Sequence, residues 1–333
     1  MDDLTPSTGD ENTGVVAKDS KGNEWVWVEV PKSIYITAKN DTDYTNIYMD
    51  MKIYVESVES GYINVEDIDT DRYISGSGNF SSEEEYNQEK NRMLKSVYDN
   101  GGFWISRYEI GTFNAAESVE KDTANVTTPV SQQNAYPIVN KTQPQSQQIV
   151  RKLNDDANLL FGIQWKLTLK FLLLRGALTS DEIYRDSSGW GNHLDSSFKI
   201  DRGKYQKDDD WDSTNWITLG SEYKEPETNE NTKNNYLYKR SFYKLFECAY
   251  KLTTGAADRN CKMNIYDLAG NVEEWTLEND DYYLDEVVFR GGDGGLRAKV
   301  HSVLGTIQYI VNVKMPAKIN WYNCSVGFRA ALY

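Results

Sequence analysis

The stretch Asn264-Ile265-Tyr266-Asp267-Leu268-Ala269-Gly270-Asn271-Val272-Glu273-Glu274-Trp275 decides how this chain is read. Asp267 and Glu274 flank a turn at Ala269-Gly270-Asn271, where a glycine permits positive φ and frees backbone carbonyls. Carboxylate and carbonyl oxygens gathered on one tight loop are what a hard cation such as Ca²⁺ requires. The same turn also reads as metal-free, with Asp267 capping nearby amides. Trp275, next along the chain, is expected to anchor the core.

Working outward, further short motifs stand in a fixed order around this stretch. Phe103-Trp104-Ile105-Ser106-Arg107-Tyr108-Glu109-Ile110 reads as a strand ended by Gly111. Pro129-Val130 precedes a helix expected near 146–156. A second helix, near 163–175, starts around Trp165 and ends at Arg175-Gly176. It is the most apolar stretch of the chain and should be the central buried helix. Downstream come Phe289-Arg290-Gly291-Gly292 and Val326-Gly327-Phe328-Arg329-Ala330-Ala331.

This ordered set, spanning about 103–331, resembles the formylglycine-generating-enzyme (sulfatase-modifying factor) family. Its "YD…GN…EW", "RGG" and "GFR" signatures match the residues quoted. The resemblance implies a C-type-lectin-like α+β fold with short antiparallel strands, two or three helices and long loops. It also implies a structural Ca²⁺ held by the side chains of Asp267 and Glu274 and the carbonyls of Gly270 and Val272. Arg290 and Arg329 are expected to hold acidic or carbonyl partners internally.

The chemistry of that family needs two closely spaced thiols soon after "RGG", because soft thiolates bind Cu(I). Here Asp293–Val303 contains no cysteine, and Cys324 stands alone three residues before Gly327. Cys248 and Cys261 lie elsewhere in the pattern, although they could close a short loop in an oxidising compartment. No copper site is therefore expected. The iron-dependent relatives of the family need two histidines and a carboxylate, and His193 and His301 lie in unrelated stretches. No phosphate loop or nucleophile elbow is legible. The expectation is a binding protein, not an enzyme; the alternative is an unusual or degenerate member of the formylglycine-generating oxidoreductase group.

Between Gly292 and Gly327 the family places its ligand-facing surface, about 293–326 here. A chain ending just after "GFR" also resembles the variable target proteins of diversity-generating retroelements, among them phage receptor-binding proteins and bacterial surface proteins. Asp293, His301, Tyr309, Trp321, Tyr322 and Asn323 are the candidate ligand-binding residues. The expected partner is a protein or glycan on a cell surface. Val303–Val311 reads equally as an ordinary buried strand, given its β-branched content.

Composition narrows the alternatives. Fifty-one acidic against 36 basic residues give the 333-residue chain a formal charge of −15, which repels phosphate backbones and argues against nucleic acid. Nine Trp, 23 Tyr and 10 Phe suit a loop-rich fold that buries large rings. No apolar run is long enough to enter a membrane, and no targeting segment is visible, so the sequence reads as soluble. Residues 1–22 read as a disordered polar tail ahead of one domain, 23–333, with insertions about 37–98 and 180–236. Within that domain Glu24–Val30 reads as a strand ended by Pro31. Residues 33–36 and Lys52–Val55 read as strand-like pieces. A helix is expected from Ser82, its cap, to Asn100-Gly101-Gly102, with Tyr86, Met93, Leu94 and Val97 facing inward.

Overall fold

Glu24–Glu29 is a strand because Trp25, Val26 and Val28 have an apolar partner on each side of the sheet, and all three are buried. The computed structural model describes residues 3–56, 71–207, 211–219, 243–244, 250–280, 286–294, 296 and 315–333. Its main sheet has six antiparallel strands. In chain order they are β1 (Thr5–Thr8), β2 (Val16–Lys18), β3 (Glu24–Glu29), β4 (Gly102–Ser106), β5 (Ala157–Leu159) and the last strand of the chain, β10 (Ala330–Leu332). Their spatial order is β1-β2-β3-β4-β10-β5, so the C-terminal strand lies inside the sheet, with Ala331 opposite both Ile105 and Asn158.

A second sheet holds β6 (Glu273–Asn279), β7 (Glu286–Arg290), β8 (Met315–Lys318) and β9 (Val326–Phe328) in the order β8-β7-β6-β9. Here β6 runs antiparallel to β7 and parallel to β9, with Glu274 opposite both Arg290 and Gly327. The "RGG" and "GFR" segments thus flank the strand that follows the decisive loop.

Among the described residues six α-helices complete an α+β fold, where two or three were expected: α1 (Tyr44–Glu56), α2 (Glu83–Asn100), α3 (Ala115–Val119), α4 (Gln143–Leu153), α5 (Gly162–Leu174) and α6 (Ser180–Tyr184). The expected central helix is α5, which touches β3 of one sheet and β6 of the other and is buried on every side over most of its length. Helix α2 starts at Ser82, whose side chain accepts from Glu85 N, and stops where Gly101 turns left-handed at φ 75°. Thr142 and Gln145 form a reciprocal cap on α4.

Three local expectations are corrected. Residues 1–22 were expected to be a disordered tail, but β1 and β2 lie within them. Val16 pairs with Val26 and is fully buried, and Asn264 clamps the connecting turn by donating to the carbonyls of Thr13 and Gly14. Pairing with β3 covers an otherwise open sheet edge, a tertiary gain that polar composition does not show. Lys52–Val55 belongs to α1, whose buried Ile47, Met51 and Val55 recur at every fourth residue; the four-residue piece read as strand-like, but the longer period is helical. Residues 32–34 form a 3₁₀ turn, not a strand, and leave Ile36 83% exposed. The expected insertion 180–236 also contributes to the core, since Trp190 and Trp211 are both buried.

A small satellite core, Phe198, Ile200, Tyr205, Leu252, Ala256 and Ala257, lies beside the main one. Over it runs a three-stranded sheet of Ile217–Thr218, Lys204–Lys207 and Tyr250–Leu252. Its strand 250–252 stands beside the loop that follows β7, because the backbone of Gly294 packs against the Tyr250 carbonyl.

Candidate functional site

The loop before β6 uses backbone conformations that few side chains tolerate. Asp267, Gly270 and Asn271 have φ values of 54°, 74° and 67°. A methyl group on Gly270 would meet the Asn192 carbonyl oxygen at 2.2 Å, so only glycine fits there. From this loop β6 carries two carboxylates to two arginines. Arg290, ending β7, sets Nε 2.5 Å and Nη2 2.6 Å from the Glu278 carboxylate. Arg329, between β9 and β10, sets Nε 3.0 Å from both Glu274 oxygens and Nη2 2.7 Å from one of them. It also donates to the carbonyls of Ser106 and Tyr266. These are the internal acidic and carbonyl partners expected for the two arginines, and both pairs are shut off from water.

The proposed calcium ligands do not fit a cation in this arrangement. Both Glu274 oxygens face Arg329, which already supplies the positive charge. Asp267 accepts from Gly255 N at 2.7 Å and from Asn260 Nδ2 at 3.3 Å, which is the amide-capping role. Burial pushes Asp267 up to about 6, and pushes Glu274 up to about 7 against the pull of Arg329. Burial, with Asp267 and Glu274 close by, also raises Glu109 well above the usual carboxylate range. Among the described residues no three His, Cys, Asp or Glu side chains gather as a metal's ligands. Ca²⁺ takes six to eight oxygens, and this loop has already committed its carboxylates to protein donors.

Of the six candidate ligand-binding residues, His301 and Tyr309 lie outside the described residues, as do Val303–Val311 and Cys248. The other four lie in two segments beside the second sheet, Asp293 after β7 and Trp321, Tyr322 and Asn323 before β9. Asp293 is buried, not solvent-facing, because the chain turns inward after Gly292, and Gly294 N is held by the Asn271 carbonyl. Trp321 is half-buried. Its ring stacks on Phe289 with centroids 5.4 Å apart and meets Trp275 edge-on at 5.9 Å. Tyr322 and Asn323 are also half-buried. Asn323 shapes the loop: its carbonyl accepts from Asn140 N and Val326 N, and its Oδ1 accepts from Ser325 N.

Sequence reasoning missed what stands beside these residues. Lys251 is fully buried, and its ammonium donates to the Trp211 carbonyl at 2.7 Å. The Trp211 and Trp216 rings lie 5.8 and 5.7 Å from it. Burial pushes Lys251 down to about 8, against the pull of Cys324, Asp212 and Glu109. Asp212 pairs with Lys121 and accepts from Asn140 Nδ2 at 2.8 Å, which ties this cluster to the Asn323 loop. The only sequence signal for any of this was the pair of tryptophans in an otherwise polar stretch. Cys261 and Cys324 are free thiols, and Cys248 lies outside the described residues. Burial raises both thiols, against the pull of Tyr266 and Arg107 on Cys261 and of Lys251 on Cys324.

No protein-family model matches this chain, and no curated protein matches it. Among solved structures it is similar to Treponema denticola variable protein 1, at 17% identity and a TM-score of 0.22, over 70% of this chain and 84% of that one.

Proposed function

We propose that this chain is a non-catalytic binding protein: a C-type-lectin-like scaffold, related to the formylglycine-generating enzymes, that presents its C-terminal segment to a protein or glycan on a cell surface. The setting would be a phage tail or a bacterial surface, with the segment open to retroelement diversification. The observation that carries the reading is how the segment is framed. Arg290–Glu278 and Arg329–Glu274 lock its two ends from inside the core, while the half-buried loop 322–325 is held largely through backbone atoms and Asn323. Side chains at such a loop can change without disturbing the frame, as antibody loops do on theirs.

The test pairs melting with ligand capture. Tyr322→Ala together with Cys324→Ser should cost about 1 kcal/mol or less at each half-buried site, well under Trp165→Ala, and should abolish capture of cells or glycans that the wild type retains. Trp165→Ala should cost about 3–5 kcal/mol. If the loop variant unfolds as readily as Trp165→Ala, the loop is core and the reading fails. A reverse-transcriptase gene and a near-identical template repeat beside this gene would support diversification directly.

A further inference from the structure

Lys251 and Gln206 stand directly opposite one another on paired strands, and neither is exposed to solvent. Side chains opposite one another in an antiparallel pair emerge on the same face. Over that face lies the segment 211–216, whose backbone takes one hydrogen bond from each: Lys251 Nζ donates to Trp211 O, and Gln206 Nε2 donates to Ser213 O at 2.7 Å. Three polar atoms of this cluster remain buried without a partner: the indole N–H groups of Trp211 and Trp216, and Gln206 Oε1. Trp211 is 4% exposed and Gln206 0%. Leaving such groups unpaired is costly, and native proteins normally satisfy them with protein, water or ligand.

The unmet needs are specific. An indole N–H can only donate, and an ammonium offers three donors of which the Trp211 carbonyl takes one. Together they ask for a compact, acceptor-rich group of negative charge. Gln206 Oε1 asks for a donor beside it. We propose that Lys251, Trp211, Trp216 and Gln206 form a subsite for a hydroxycarboxylate. Its carboxylate oxygens accept from the ammonium and the two indoles, and its hydroxyl donates to Gln206. The subsite adjoins the Asn323 loop through Asp212 and Asn140. It deepens the binding reading above and rests on it, giving that face a chemical preference for ligands bearing an acid and a neighbouring hydroxyl. Aromatic rings flanking the ammonium add a flat apolar wall.

The experiment is a titration of the full chain with glycolate, acetate and chloride at constant ionic strength, followed by ¹H–¹⁵N NMR of the nine indole signals. Trp211→Phe and Trp216→Phe assign the two of interest. Glycolate should move both signals saturably, acetate should do so several-fold more weakly, and chloride should not. Lys251→Met should abolish the response, and Gln206→Leu should erase the preference for glycolate over acetate. Trp216→Phe keeps the ring and should weaken binding while leaving the Trp211 signal responsive, which guards against a misfolded lysine variant. A carboxylate response no larger than that of chloride, or one that survives Lys251→Met, overturns the subsite. Capture that is lost on Tyr322→Ala but indifferent to glycolate would leave the display reading standing and reject the subsite alone.

Discussion

Replacing Arg329 by Met tests the claim that buried ion pairs frame the C-terminal segment proposed to bind. The substitution removes the guanidinium from Glu274, which is 1% exposed, and withdraws donors from the Ser106 and Tyr266 carbonyls. Breaking a buried pair by deleting one partner costs about 3–5 kcal/mol. The two carbonyls keep the cost at the upper end, because an unsatisfied buried acceptor costs roughly 1–3 kcal/mol. Domains hold about 5–15 kcal/mol in all, so Arg329→Met should lose a large part of the stability. The assay is urea unfolding followed by tryptophan fluorescence, with the midpoint read at constant slope. Arg329→Met combined with Glu274→Leu removes both charges and should recover much of the loss, giving a coupling of at least about 2 kcal/mol in a double-mutant cycle. A single-variant cost near 1 kcal/mol, or additive single effects, would mean that the pair is surface-like and that the framing argument is wrong.

Three further outcomes are expected. Lys251 is pushed down to about 8 by burial, whereas an unfolded lysine titrates near 10.4. The unfolded chain therefore binds the extra proton between those values, and Lys251 contributes a gain in stability as pH rises from about 8 to 10.4, worth about 3 kcal/mol in full. The difference between wild type and Lys251→Met should vary across that window; a constant offset would show that the lysine is not buried as described. Gly270→Ala places a methyl group 2.2 Å from the Asn192 carbonyl at positive φ, and should cost about 1–3 kcal/mol by overpacking alone; a melting temperature equal to wild type would contradict the loop geometry. Calcium and chelator should leave the melting temperature unchanged, since Arg329 and backbone amides already occupy the carboxylates; a calcium-dependent rise of the kind that mass action gives a native-state ligand would reinstate the metal.

What was legible in the sequence depended on whether local pattern and tertiary demand agreed. Ser82, Gly101 and the stripe Tyr86, Met93, Leu94 and Val97 delimit α2 because cap, stop and period point to the same helix. Helix α5 was legible because a segment apolar all round must be buried. β1 and β2 were not, since after Leu4 only Val15, Val16 and Ala17 interrupt a polar run. Their stability comes from β3 and from Asn264, 250 residues away. Contacts at that separation leave no trace in a window of ten residues. The expectation for 103–110 overran for a related reason: after Ser106 the chain leaves β4, and Arg107 turns to bind Glu24 and Asn264.

The loop at 267–275 shows why residue types alone settle a site only halfway. Two carboxylates around a Gly-Asn turn suit either a cation or an arginine, and the deciding group, Arg329, arrives 55 residues after Glu274. Once Arg329 is seated, a cation at Glu274 would have to displace a guanidinium that holds both carboxylate oxygens and two carbonyls besides. The same logic runs through the proposed binding face. Asp293 and Trp321 have side-chain chemistry typical of contact residues, yet the first is buried and the second stacks on Phe289, so they belong to the frame as much as to the face. Tyr322, Asn323 and Cys324 are left as the most substitutable part of the described tip, with Lys251, Trp211 and Trp216 as fixed chemistry beside it. In the proposed binding face the two tasks would be separate: the side chains of the 322–324 loop would choose the partner, and the buried Lys251 ammonium would set the kind of group the partner must present.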